Sequence, residues 1–161
     1  CRDAEICNLR WDWEVKVPTL KTFVFIVPGK FVKNGDERLV VLNDIARSVV
    51  NARRGKHPTH VFAYKGKPII RMLNSSWCRV RKTLGLEQVR VHDLKHTFGR
   101  RLRAAGVSFE DRQDLLGHRS GRMTTHYSAA ELSKLIEAAN SVCERSGNKP
   151  ELVVLRRISV S

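Results

Sequence analysis

The chain has 161 residues, enough for one ordinary domain with a core of its own. With 42% hydrophobic and 29% charged residues it is globular in composition, and no apolar run approaches the ~18 residues that a membrane span needs. Lys and Arg total 30 against 16 Asp and Glu, a net charge of +14, which points to a polyphosphate partner, with an anionic membrane surface as the rival.

The elements follow in chain order. Residues 3–10 read as a helix that starts without a cap in front of it, so the chain is expected to be one domain, residues 1–161, truncated at its N-terminus. Residues 22–27 (TFVFIV) and 38–42 (RLVVL) are β-forming runs on either side of the turn dipeptide Asn34-Gly35, which places Lys33 beside a turn of a small antiparallel sheet. Asn43 or Asp44 caps a basic helix to about Arg54, and a Gly/Pro/His loop leads to the short apolar stretch Val61-Phe62. Beyond Asn74-Ser75-Ser76 a helix runs to about Leu84 and stops at Gly85.

From Val91 the helical period returns. Leu94, Phe98, Leu102 and Ala105 form a stripe expected to pack, and His92, Lys95, His96 and Gly99 lie opposite, as the polar face. Gly106 ends this helix. Ser108-Phe-Glu-Asp fits a capping box for the next, which ends at Gly117 and leaves His118 just past a helix terminus. Residues 131–145 form a last amphipathic helix with Leu132, Leu135, Ile136, Ala139, Val142 and Cys143 on one side. The apolar, β-branched tail, residues 152–160, is expected to add a strand to this sheet or to that of a neighbouring copy. Cys1, Cys7, Cys78 and Cys143 make no CxxC pair, and the opening has no signal-peptide pattern, so they read as reduced thiols of a cytoplasmic protein.

Arg2, Lys33, His92, Lys95, His118 and Tyr127 suit one reaction type. An attacking phenol needs its proton removed, a phosphodiester transition state needs fixed positive donors, and a departing alkoxide needs an acid. Cationic side chains supply all three, and no Asp/Glu cluster has metal-ligand spacing; no metal or cofactor is expected. Two further basic groups, Arg53, Arg54 and Lys56, and Arg100, Arg101 and Arg103, are read as DNA-phosphate contacts.

The segments CRDAEICNLRW, FVKNGDERLVVLN, VHDLKHTF, DLLGHRS and TTHYS resemble, in order and spacing, those of the tyrosine recombinases, the phage-integrase family, over residues 1 to about 140. The resemblance implies an α/β fold, mainly helical with a small antiparallel sheet. It implies a site-specific recombinase that cuts and rejoins double-stranded DNA through a 3′-phosphotyrosine, without metal or ATP. Tyr127 would be the nucleophile; Arg2, in an R-x-x-E pattern with Glu5, would clamp the phosphate; His118 would hydrogen-bond it; His92 would contact it or assist proton transfer at the tyrosine; Lys33 would be the acid for the leaving 5′-oxygen. Tetramers on DNA are implied, with the tail after the nucleophile, residues 150–161, exchanged between protomers.

One position departs from the family's His-x-x-Arg: this chain has His92-Asp-Leu-Lys95. Lysine keeps the charge and loses the fork that grips two phosphate oxygens. Losing one transition-state donor costs about 10²- to 10³-fold in rate. Two alternatives stand beside the recombinase: a DNA-binding module of the same fold with weakened or lost catalysis, for which Lys95 is the argument, and a DNA-relaxing enzyme of the type IB topoisomerase kind, which shares the chemistry but not the assembly. Taken singly, Tyr127 is a core tyrosine, Lys33 a solvated turn lysine and His118 a helix-end histidine; only the order of the motifs turns them into a site.

Overall fold

A period of two decides the centre of the fold. The run 22–27 is β-branched and aromatic at almost every position, so both of its faces can be buried. In the computed structural model, which describes residues 1–72, 75–117 and 127–143, this run is the middle strand β2 (Thr22–Val27). It pairs antiparallel with β1 (Glu14–Val17), Val15 opposite Val24, and with β3 (Arg38–Val40), Ile26 opposite Leu39.

Apolar layers cover both faces. On one, Phe25, Val27 and Val40 pack with Leu9, Trp13, Leu42, Val50 and Val61; on the other, Val24 and Leu39 pack with Leu132 and Leu135, against which Ile26, Leu115 and Tyr127 lie. Each fully buried side chain of this size contributes about 1.5–3 kcal/mol relative to exposure. The sheet has one strand more than the two expected. β1 escapes the sequence reading because it is an edge strand whose Val15 and Lys16 are exposed, leaving no apolar alternation to find.

Helix α1 (Asp3–Cys7) is shorter than the expected 3–10. At Leu9 the chain turns extended: the Leu9 carbonyl accepts from Val61 N at 2.9 Å, and Trp11 N donates to the Thr59 carbonyl at 3.0 Å. Past the helix the chain thus pairs with residues 59–61 in place of a further helical turn. A tight hairpin follows, β4 (Ala63–Tyr64) and β5 (Lys67–Pro68), turning through Lys65 and Gly66, both with positive φ. Helix α2 (Asp44–Asn51) is capped by Asn43, whose side-chain oxygen accepts from Ala46 N at 2.8 Å; α3 (Ser75–Thr83) buries no residue.

Three helices complete the described chain: α4 (Val91–Ala104), α5 (Phe109–Leu116) and α6 (Ala129–Ser141). Ser128 and Glu131 form a reciprocal capping box, so α6 begins two residues earlier than expected. At α5 the box is only half made. Ser108 accepts from Asp111 N at 3.1 Å, while the Asp111 carboxylate accepts from the Ser108 hydroxyl at 2.6 Å and meets Lys134 of α6 at 2.8 Å.

The packing face of α4 is a correction. Leu102 is fully buried and Phe98 half-buried, but Leu94 is 51% exposed and Ala105 is exposed, whereas Lys95 and Gly99, expected on the outer face, are half-buried. Both stripes have helical spacing, and Gly99 decides between them. The Leu116 side chain of α5 lies against it, 3.2 Å from where a Cβ would stand. Asn74, Arg145 and the 150–161 tail lie outside the described residues.

Candidate active site

The start of β3 carries a charge at a position the sheet buries. Arg38 stands opposite Val27 in register and is 5% exposed; Glu5 of α1 is 3% exposed. A buried charge needs a partner. Arg38 Nη1 meets Glu5 Oε2 at 2.9 Å, and Arg38 Nη2 donates to the Leu116 carbonyl at 3.0 Å, the last residue of α5. Arg38 Nε is buried and has no hydrogen-bond partner among the described residues. Glu5 also holds Arg2: it accepts from the Arg2 backbone N at 2.8 Å and from Arg2 Nη1 at 3.3 Å.

The helix end above Arg38 is built to match. Gly117 has φ +59°, and a Cβ there would run into the Arg38 guanidinium, so both conformation and space demand glycine. The guanidinium also sits at the negative end of the α5 dipole. Burial pushes the Arg38 pKa down from its usual range, with Glu5 opposing and Arg2 reinforcing the shift.

Lys95 joins this group from α4. Burial first, then the charges of Arg38 and Arg2, lowers its pKa, and Glu5 opposes. Arg2 and Arg38 thus meet at one buried carboxylate, and Lys95 lies near enough to feel the charges of all three. His92 lies a turn earlier on α4, exposed, its ring edge-to-face with that of His96 at 4.9 Å between centroids. Asp93 between them has its pKa lowered, chiefly by the hydrogen bond from Arg90 N at 2.8 Å.

Two of the six expected residues sit on other elements, and a third is not described. Lys33 is exposed in the β2–β3 connection, whose neighbours Phe31 and Val32 pack against Trp13 and the core around it. Tyr127 is half-buried just ahead of the Ser128 cap, against the Val24, Leu39, Leu132 and Leu135 cluster. His118 follows Gly117 directly and lies outside the described residues.

Among the basic groups, Arg100, Arg101 and Arg103 are exposed on α4, and Arg100 and Arg103 continue the stripe of His92 and His96. Arg53 and Lys56 are exposed. Arg54 is engaged within the fold: its two Nη atoms each reach a Glu14 oxygen at 2.9 Å, and its guanidinium lies 5.0 Å from the centre of the Trp11 ring and 4.9 Å from that of Phe23. Among the described residues no three His, Cys, Asp or Glu side chains are grouped to hold a metal ion, and no helix is long and apolar enough to cross a membrane.

The residue the sequence reading missed is Arg38. Its signal was present: Arg38, Val40 and Leu42 share the inward positions of one period-two run, so the arginine heads a buried row.

The model of the phage integrase family matches residues 1–134. The chain belongs to that family. It is 29% identical to the integrase of Salmonella phage P22, in a match that covers 88% of this chain and 39% of the phage protein, so the chain spans about two-fifths of that relative. No solved structure matches it. In this integrase-family chain the segment DLLGH can be read residue by residue up to its histidine. Leu115 packs on the sheet, Leu116 fills the notch at Gly99 and gives its carbonyl to Arg38, and Gly117 turns left-handed over the same guanidinium. The R-x-x-E segment supplies the other half, Glu5 joining Arg2 to Arg38.

Proposed function

We propose that this chain is the catalytic module, residues 1–161, of a site-specific DNA recombinase that cuts and rejoins double-stranded DNA through a covalent 3′-phosphotyrosine. The observation that carries the reading is the meeting of Arg2 and Arg38 at the buried carboxylate of Glu5, beside the end of α5, with Lys95 near enough to feel all three charges. An excess of fixed cations is what a phosphodiester needs as its equatorial oxygens gain charge.

The roles follow from that chemistry. The Tyr127 oxygen attacks the scissile phosphorus while His92 takes the phenolic proton, and the P–O5′ bond breaks as Lys33 protonates the departing oxygen. Arg2, Lys95 and His118 hold the non-bridging oxygens. The phosphotyrosyl bond preserves the energy of the broken linkage, so rejoining needs neither ATP nor metal. The exposed Arg53, Lys56, Arg100, Arg101 and Arg103, with Arg54, contact backbone phosphates, which position the duplex without reading its sequence. Tetramers on DNA, within the cytoplasm, complete the reading.

The test is covalent capture on a suicide substrate, a nicked duplex that loses the attacking hydroxyl after cleavage. The parent protein is expected to yield a protein–DNA adduct, and Tyr127→Phe none, with binding retained. Adduct from Tyr127→Phe equal to that of the parent rejects the assignment. Lys95, a cation with a lowered pKa where the family has arginine, favours one further reading, a DNA-binding module that turns over slowly. Binding by the parent without any adduct selects it.

A further inference from the structure

We infer that Arg38 is a positioning residue for this reaction: one buried guanidinium fixes the phosphate-clamping Arg2 through Glu5 and ties it to the end of α5. The inference rests on the recombinase reading above and goes beyond it, since Arg38 touches no reacting atom in that scheme.

Three separate pieces of chain, α1, β3 and the C-terminus of α5, meet at Arg38, which bonds Glu5 at 2.9 Å and the Leu116 carbonyl at 3.0 Å. Glu5 in turn takes both a backbone and a side-chain donor of Arg2. Arg2 stands at the very start of a five-residue helix, too short to hold a side chain by its own hydrogen bonding. Gly117 closes over the guanidinium with no room for a Cβ, so the end of α5 is seated directly on Arg38. A buried ion pair is often no more stable than an apolar pair of similar volume. What the apolar pair cannot supply is the two directed bonds. A shift of about 1 Å in a catalytic group is enough to cost about a hundredfold in rate.

The experiment uses the full-length protein that carries this chain and compares the parent, Arg38→Lys, and the double variant Arg38→Met with Glu5→Leu. Thermal unfolding, duplex affinity, and the rate of suicide-substrate adduct at saturating DNA are measured for each. The double variant is expected to melt cooperatively and bind duplex within about threefold of the parent, with its adduct rate down by about a hundredfold. Arg38→Lys, which keeps the charge against Glu5 but cannot fork to Leu116, should recover part of that rate. A double variant with the parent's adduct rate overturns the inference alone, as does a loss of rate that merely follows lost binding or lost folded protein. A parent that forms no adduct overturns the recombinase reading and this inference with it.

Discussion

Two Arg–Glu pairs flank the sheet, and they are built from the same residue types for different ends. Arg54 and Glu14 meet at the edge strand through two bonds of 2.9 Å, with the guanidinium over Trp11 and Phe23 and 44% of the arginine side chain exposed. Arg38 and Glu5 meet at the head of β3, where the two side chains are 5% and 3% exposed. The first is a packing device: the arginine's flat face covers aromatic rings and its edge stays near water. The second is costly to bury, has a donor without a described partner, and is shared by three pieces of chain. A pair kept on those terms marks a place where direction is required and adhesion alone would not suffice.

The largest separation between the two pairs comes from removing one carboxylate. Glu5→Leu leaves Arg38 buried without its counter-charge and is expected to lower stability by roughly 3–5 kcal/mol. At the other pair, where Glu14 is 10% exposed but the arginine 44%, Glu14→Leu should cost no more than about 1 kcal/mol, because water solvates the released guanidinium. Chemical unfolding of the two single variants checks the contrast, and equal losses would remove the distinction. A smaller effect is expected at Arg54 itself. Arg54→Ala gives up the ring contacts as well as the ion pair, about 1–2 kcal/mol together, and should lower the affinity for duplex DNA less than Arg53→Ala does. An Arg54→Ala protein of full stability with the larger loss of DNA affinity would make phosphate contact, and not packing, the main role of this arginine.

Much of this could be read from the sequence, and what could not has identifiable causes. Strand β2 and its partner β3 were legible because β-branched runs flank an Asn-Gly turn; β1 was not, because an edge strand with Val15 and Lys16 in water carries no alternation. The stripe on α4 was placed a position or so off because two helical stripes interleave, and only the approach of Leu116 to Gly99 tells which one packs. Of the candidate site, Arg2 and Lys95 follow from the motifs, and the structure adds that Lys95 is half-buried within reach of the charge of Arg2. Arg38 has no motif to mark it, and a charge at the head of a strand run is by itself no sign of burial. Its period with Val40 and Leu42 is that sign.

The smallest and most specific effect belongs to Lys95, where stability and activity are expected to respond to pH with opposite signs. Its pKa lies below the usual 10.5 because of burial and then the charges of Arg38 and Arg2. Below the folded-state pKa the charged lysine destabilises the fold by its full amount. Between that pKa and 10.5 the folded protein has released the proton while the unfolded chain still holds it, so this group's contribution to stability rises with pH. In the proposed reaction the same loss of charge takes a donor from the phosphate. The second-order rate of adduct formation, which reports groups of the free enzyme, should therefore fall by up to about tenfold per pH unit in that window. Lys95→Arg, whose guanidinium stays protonated, should hold its rate across the window and exceed the parent there. Ionisation of the nucleophilic phenol raises the rate with pH in both proteins, so it cancels in the ratio. A ratio of the two rates that stays constant with pH would show that Lys95 carries no charge the reaction uses.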